Sequence, residues 1–220
     1  MPEINYEASL MTEILNFLNK GGPALWIIFL LSIILMANIF YKISHLMKLG
    51  VWNSKRTRLI LDAWKSNNVE YLRKVFLDTK GIRETLAKKT IVSILDEALA
   101  EESAREECEA EARNSLHQAN KGLRIIELIS HIAPLLGLLG TVLGMIEAFQ
   151  RLQESGNEAD PSILAGGIWE ALLTTAAGMA VAIVATVSLS FFDKYIDKLR
   201  NDLEDLATQI FTRKPGWFGV

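Results

Sequence analysis

A carboxylate, two adjacent hydroxyls and a series of small residues stand inside otherwise apolar stretches of this 220-residue chain. Glu170 heads the uncharged run 171–192, which also holds Thr174, Thr175, Gly178, Ala182, Thr186 and Ser188. Burying a charged carboxylate in a bilayer costs about 2.5 kcal/mol or more, so one found there is a candidate functional site by default. The bland alternative is a helix that begins at Pro161-Ser162, which would leave Glu170 about two turns inside and near the interface. Helix geometry also divides these residues. Glu170, Thr174, Ala177, Val181 and Ser188 share one face, whereas Thr175, Ala182 and Thr186 lie about 140° around. Both faces are small, and a helix small on two sides is surrounded by other helices.

A second uncharged run, 128–146, adds the clearest spacing. Glu127, Ser130, Pro134, Gly137, Thr141, Gly144 and Ala148 follow one another at intervals of 3, 4, 3, 4, 3 and 4 residues, which puts all seven on one helical face. A small and polar face lets helices approach closely, or it lines a route for water and ions. The Gly140-xxx-Gly144 spacing supports the packing alternative. His131, just inside this run, suits a proton relay or a packed interfacial histidine. No phosphate-binding Gly loop, metal-ligand cluster or paired nucleophile and base occurs. The expectation is a protein that is not an enzyme and needs neither cofactor nor metal.

The elements that must position these groups follow from how charge is distributed. Half the residues are hydrophobic and 22% are charged, a combination that a soluble fold rarely shows; here the two classes are segregated along the chain. A third uncharged run, 24–41, is rich in Leu, Ile and Phe, with Trp26 and Tyr41 at its ends. Each run approaches or reaches the 17–25 residues or so that a bilayer core requires, and in lipid each must be a helix. Glu3, Glu7 and Glu13 precede the first run where a signal peptide would be basic, and no small-residue cleavage site follows it. The net charge of −3 gives no reason to expect nucleic acid. Of the 23 basic residues, only Lys20 precedes the first span and only Arg151 lies in the turn between the second and third. By the positive-inside rule the N-terminus and that turn are outside, and the middle block and C-terminus are cytoplasmic. The single cysteine, Cys108, rules out an internal disulfide framework and reads as an inert surface thiol on a charged helix.

The expected order is a periplasmic segment 1–23, spans at 24–43, 128–149 and 167–192, a cytoplasmic helical block 44–127, a periplasmic turn 150–166 and a cytoplasmic helix 193–220. Between residues 44 and 127 stand 15 Lys/Arg and 13 Asp/Glu, the interleaving of solvated helix faces. Two short helices are predicted there, separated by Asn67-Asn68 and ended near Gly81. From residue 90 one long helix is predicted to rise into the second span, with Ile91, Ile94, Leu95, Ala98 and Leu99 needing neighbours. Tyr195, Ile196, Leu199, Leu203, Leu206 and Ile210 predict an amphipathic continuation of the third span.

These residues resemble the ExbB/TolQ/MotA proton-channel family. The resemblance is carried by Gly21-Gly22-Pro23 with Leu25-Trp26, by the run from Ile132-Ala133-Pro134 through Gly137, Gly140, Thr141 and Gly144 to Ile146, and by Glu170-Ala171-Leu172-Leu173-Thr174-Thr175-Ala176-Ala177-Gly178. It covers nearly the whole chain, with size and loop pattern more like ExbB or TolQ than the longer flagellar stator subunit, and the chain is most like ExbB. It implies an all-α membrane protein with three transmembrane helices, the second and third extended into the cytoplasm as long helices, assembled as a homopentamer around a central pore. That pore would hold single-span ExbD- or TolR-type partners carrying a titratable aspartate, working with a TonB- or TolA-type protein in the inner membrane. Thr141, Thr175 and Glu170 correspond to the family's polar pore positions, flanked by the small stripe Pro134, Gly137, Gly144, Ala148, Gly178 and Ala182. By that correspondence Thr175, and not Thr174, is the span-three threonine. The chain departs from the family at Val184, where many members have proline, and at Phe40-Tyr41-Lys42, where a Glu-Arg pair is usual.

The implied function is a proton-channel subunit of an inner-membrane motor that uses the proton motive force to energise TonB-dependent transport across the outer membrane. A TolQ-like role in envelope integrity and division, a sodium-driven version and a non-conducting membrane scaffold are the alternatives.

Overall fold

The computed structural model describes residues 12–13, 15–16, 18–19, 21–51, 55–77, 79, 81–96, 99–154 and 161–212. Most of the expected N-terminal segment, the middle of the turn after span two and the last eight residues therefore lie outside the described residues. Among the described residues every regular element is a helix: α1 (Gly22–Lys48), α2 (Lys55–Lys65), α3 (Val69–Phe76), α4 (Ile82–Leu95), α5 (Glu101–Asn120), α6 (Leu123–Glu154) and α7 (Pro161–Thr212). Three of them, α1, α6 and α7, are long and apolar enough to cross a membrane. The all-helical class with three spans is therefore as expected.

The third span does continue as a long helix, since α7 runs unbroken for 52 residues, or roughly 78 Å. The helix predicted from residue 90 into span two is interrupted twice. Asp96 and Ala100 are both extended, and Gly122 adopts φ 87, a conformation that side chains with a Cβ seldom take. The first interruption folds the chain back on itself. Thr90 meets Cys108, Ser93 meets Glu107 and Lys89 meets Glu111, so α4 and α5 are antiparallel. The physical reason is the apolar face of α4. As part of one straight helix it would stand in water, whereas the hairpin buries Ile91 and Ile94 together with Ala104 and Cys108.

The chain divides into two compact units, Met1–Ile39 with Arg124–Leu189, and Phe40–Leu123 with Ser190–Val220. In the first, α6 buries Ile126, Ile129, Ala133, Gly137, Gly140 and Ala148, and α7 buries Ala171, Thr174, Gly178, Ala182 and Ala185. Both rows follow the 3–4 spacing of a helix seam, and both are made chiefly of small residues, which bring backbones close.

In the second unit, α7 presents Ile196, Leu199, Leu203, Leu206 and Ile210, all buried as the amphipathic pattern predicts. Trp64 is buried with them and donates its indole N–H to the carbonyl of Ile210 at 3.2 Å. Between α2 and α3, Asn67 takes φ 55 and the Asn68 side chain accepts from the Tyr71 N–H at 3.0 Å, an N-cap where the sequence places a helix start. Arg83 is buried and donates to the Val51 carbonyl at 2.8 Å and to Oδ2 of Asp202. Lys42 is wholly buried, and its ammonium donates to the carbonyls of Ala119 and Lys121. A cation at the carbonyl end of α5 answers both the orphan acceptors and the negative end of the helix.

Cys108 is a correction to the surface reading. Its thiol is buried and accepts the Thr90 hydroxyl at 3.1 Å. Burial pushes the Cys108 thiol pKa up, with the Thr90 hydrogen bond acting in the opposite sense and Glu109 adding to the rise. The residue types flanking Cys108 are charged, but Ala104, Cys108, Ser115 and Ala119 form the buried row of α5.

Candidate ion-path residues in the membrane helices

Backbone proximity sets the geometry between α6 and α7. A methyl placed on Gly137 would stand 3.0 Å from the Thr174 carbonyl oxygen and from Cα of Thr175. One on Gly178 would reach 2.5 Å from the Ala133 carbonyl oxygen, and one on Gly144 would lie 3.3 Å from Cβ of Ala171. Ala148 fills the space that a Cβ on Gly167 would need. Thus Gly137, Gly144, Ala148 and Gly178 of the small stripe are occupied by contacts within one chain. Ala182 is buried in the same row, and its carbonyl accepts the Thr186 hydroxyl at 2.9 Å. Pro134 lies within α6, half-buried.

The two neighbouring threonines, on which sequence and resemblance gave different weight, converge on one acceptor. Thr175 donates Oγ1–H to the Gly137 carbonyl at 3.0 Å, and Thr174 Oγ1 lies 3.4 Å from the same oxygen and 2.7 Å from the Ala171 carbonyl. Thr174 is buried, whereas Thr175 is half-buried. Gly140 makes room for Thr174: a methyl there would meet its Oγ1 at 2.5 Å and Cβ of Ala24 at 3.1 Å. All three spans therefore meet at Gly140.

Glu170 sits apart from this pair. A methyl on Gly22 would stand 3.2 Å from its Oε1, so the half-buried carboxylate lies against the first turn of α1. That turn is the positive end of the helix, which suits an anion. Gly22 holds φ +59 there. Thr141 belongs to neither grouping. Its hydroxyl donates to the Leu138 carbonyl on its own helix at 2.7 Å, and it is half-buried, lining a shallow cavity with Val142, Met145, Ile146 and Phe149. His131 is exposed. The structure thus joins Thr175 to the α6 seam and Glu170 to α1, and ties the Thr141 hydroxyl to its own helix.

Span one holds polar groups to which reading the sequence gave no role. Oδ1 of Asn38 is buried and unbonded in the structure, and Lys42 follows one turn later on the same helix. The signal was present as an i, i+4, i+7 series, Asn38, Lys42 and His45, within an apolar helix. The described residues bring no three metal-ligating side chains together.

The profile of the MotA/TolQ/ExbB proton channel family matches residues 78–205. The chain belongs to that family. The match includes α6, Thr141, Glu170 and Thr175 but leaves out α1 with Gly22 and Lys42. Biopolymer transport protein exbB1 of Vibrio cholerae is 43% identical over 88 residues, 40% of this chain and 39% of that protein. Putative biopolymer transport protein ExbB-like 1 of Synechocystis is 35% identical over 169 residues, 76% of this chain and 65% of its own length. Biopolymer transport protein ExbB of Neisseria gonorrhoeae is 35% identical over 105 residues, 46% of this chain and 47% of that protein. The chain covers less than two thirds of each of these relatives. Membership of the MotA/TolQ/ExbB family, together with the three apolar helices, makes this a multi-pass membrane protein.

Proposed function

We propose that this chain is the proton-channel subunit of an inner-membrane motor that uses the proton motive force to energise TonB-dependent transport across the outer membrane. The observation that carries the reading is the carboxylate of Glu170 inside the third span, on the helix whose Thr175 hydroxyl reaches the α6 backbone. A membrane helix keeps an ionisable group of that kind for a function, since packing alone gives no return for burying it. The ExbB names of the relatives support the choice of role within the family. In this reading the subunit forms a homopentamer, surrounds single-span ExbD- or TolR-type proteins and works with a TonB- or TolA-type protein. Its N-terminus is periplasmic and its C-terminus cytoplasmic, and it performs no enzymatic reaction. Thr141 and Thr175 supply hydroxyls along the path and Glu170 its fixed carboxylate.

The test is proton flux into vesicles that contain the complex purified from its own host, followed with an entrapped pH dye. Flux that falls to the leak level in Glu170→Gln and Thr141→Val, with native mass unchanged, supports a channel. Wild-type complex that conducts no better than empty vesicles removes the proposal. The identity of the co-purifying partner separates the ExbB-like role from a TolQ-like one, and replacing the sodium in the buffer separates proton from sodium coupling.

One observation favours a second reading. Gly137, Gly144, Ala148 and Gly178 are all taken up by packing within the chain, which is what a non-conducting scaffold would require of them. In that case Thr141→Val and Glu170→Gln retain full biological function.

A further inference from the structure

Gly21-Gly22-Pro23 carries part of the family resemblance, yet it adds no polar side chain to span one. Glycines of the α6–α7 seam are kept small by the facing helix: a methyl on Gly137, Gly144 or Gly178 would meet its backbone or an alanine Cβ within 3.3 Å. Gly22 is different. Outside its own turn and chain neighbours, a methyl there would meet one atom within 4 Å, the Oε1 of Glu170 at 3.2 Å. Its φ of +59 is open to glycine and costly to any residue with a Cβ. Glu170 and Thr174 stand one turn apart on α7, and both reach the start of α1. Glu170 does so at Gly22, and Thr174 at Gly140, where a methyl would meet its Oγ1 at 2.5 Å and Cβ of Ala24 at 3.1 Å. Leu25 and Ile28 are each 2% exposed, so the first two turns of α1 are fixed by packing.

We propose that Gly22 is a positioning residue for Glu170. The space left by its missing side chain seats the carboxylate against the first turn of α1, so that span one helps to build the ion path without lending it a side chain there. A glutamate takes up many rotamers unless its end is held. The partial positive charge at the start of α1 attracts the ionised group, and the absence of a Cβ lets it come close. With alanine at position 22, the 3.2 Å contact forces a shift of a few tenths of an ångström. α1 is held by Leu25 and Ile28, whereas Glu170 is half-buried at the end of a flexible side chain. The carboxylate is therefore what gives way. Misplacing a reacting group by about 1 Å can cost about 100-fold in rate, and the smaller shift at issue here costs correspondingly less.

This role rests on the ion-path reading of Glu170, so it is tested once through flux and once without it. In vesicles that contain the complex from its own host, Gly22→Ala should lower proton flux roughly tenfold. Gly22→Asn should lose at least as much, although asparagine takes a positive φ more readily than alanine. Backbone strain alone gives the reverse order, which would overturn the proposal. Glu170→Asp, one methylene shorter, draws the carboxylate back from residue 22. Combined with Gly22→Ala it should conduct as well as Glu170→Asp alone, since the methyl then has nothing to displace. Losses that multiply in the double variant also overturn the proposal. Gly166→Ala, at a glycine with nothing within 4 Å, is the control and should conduct like the wild type. Should the wild-type complex fail to conduct, the ion path falls, and thermal unfolding in mild detergent still decides the contact. The drop in midpoint caused by Gly22→Ala should then be smaller in a Glu170→Ala background, where strain at the positive φ remains and the clash is gone. An equal drop in both backgrounds removes the positioning role.

Discussion

At the scale of single residues, two threonines of the same type answer different questions. The Thr175 hydroxyl bridges to the Gly137 carbonyl on another helix, whereas that of Thr141 returns to Leu138 on its own. Thr175→Val should therefore lower stability by about 1 kcal/mol, the worth of one hydrogen bond, while Thr141→Val should leave thermal unfolding in detergent unchanged. If both conduct ions, flux is lost in each, and only the unfolding midpoint tells them apart. Gly22 offers a sharper case, because any side chain there meets both a positive φ and the Glu170 carboxylate. The thiol of Cys108 gives a prediction that depends on pH. Burial raises its pKa, so the thiolate is scarce at neutral pH and labelling by a maleimide should be slow in the folded protein. Labelling should quicken as pH rises through and beyond the usual thiol range. Stability should fall over the same range, because the unfolded chain ionises its thiol first. A rate that equals that of the unfolded protein at every pH would contradict the burial.

At the scale of elements, the sequence identified the spans better than it identified their contact faces. The 3–4 series from Glu127 to Ala148 is real, but it lies along one edge of the seam. The buried row is Ile126, Ile129, Ala133, Gly137, Gly140 and Ala148, sharing only Gly137 and Ala148 with that series. Periodicity alone could not decide between the two rows, because small residues occupy both and lipid-facing leucines flank both. What decides is the close approach of α7, visible at Gly178, where an added methyl would meet the Ala133 carbonyl at 2.5 Å. Gly178→Ala should consequently push the helices apart at a cost of about 1–3 kcal/mol, read as a lowered midpoint of unfolding in detergent. Gly166, with nothing near it, should accept the same change without loss. Helix boundaries in the second unit were legible where a residue type forces them, as at Asn67-Asn68. They were illegible at 96–100, where neither Gly nor Pro stands, and the break comes from burying α4 against α5. Lys42 was unreadable for a related reason: a lysine at the end of a span looks like an interfacial anchor. Its burial and its two carbonyl acceptors predict that Lys42→Met leaves the end of α5 uncapped. The expected loss is about 1–3 kcal/mol, with amide exchange quickened at residues 117–121 before it quickens elsewhere.

At the scale of the whole molecule, the segregation of charge that made the class legible also predicts orientation. The first unit carries Lys20, Arg124 and Arg151 as its only basic residues, while the other basic residues of the chain belong to the second. Such an imbalance works through insertion, because loops rich in Lys and Arg remain on the cytoplasmic side. No fold-level contact could reveal this, and hydropathy by itself is indifferent to direction, so orientation rests on charge bias alone. It can be measured with two single-cysteine variants in a Cys108→Ser background, Gln153→Cys and Asn114→Cys, both at exposed positions. In spheroplasts a membrane-impermeant maleimide should label Gln153→Cys at once and Asn114→Cys only after the membrane is opened. The charge argument rests on the basic residues beside the spans, with Lys42, Lys48, Lys121, Lys194, Lys198 and Arg200 on one side and only Lys20 and Arg151 on the other. The opposite pattern would place Cys108 in an oxidising compartment and Glu170 near the cytoplasmic face, and the ion path proposed above would then run without its carboxylate at the entrance.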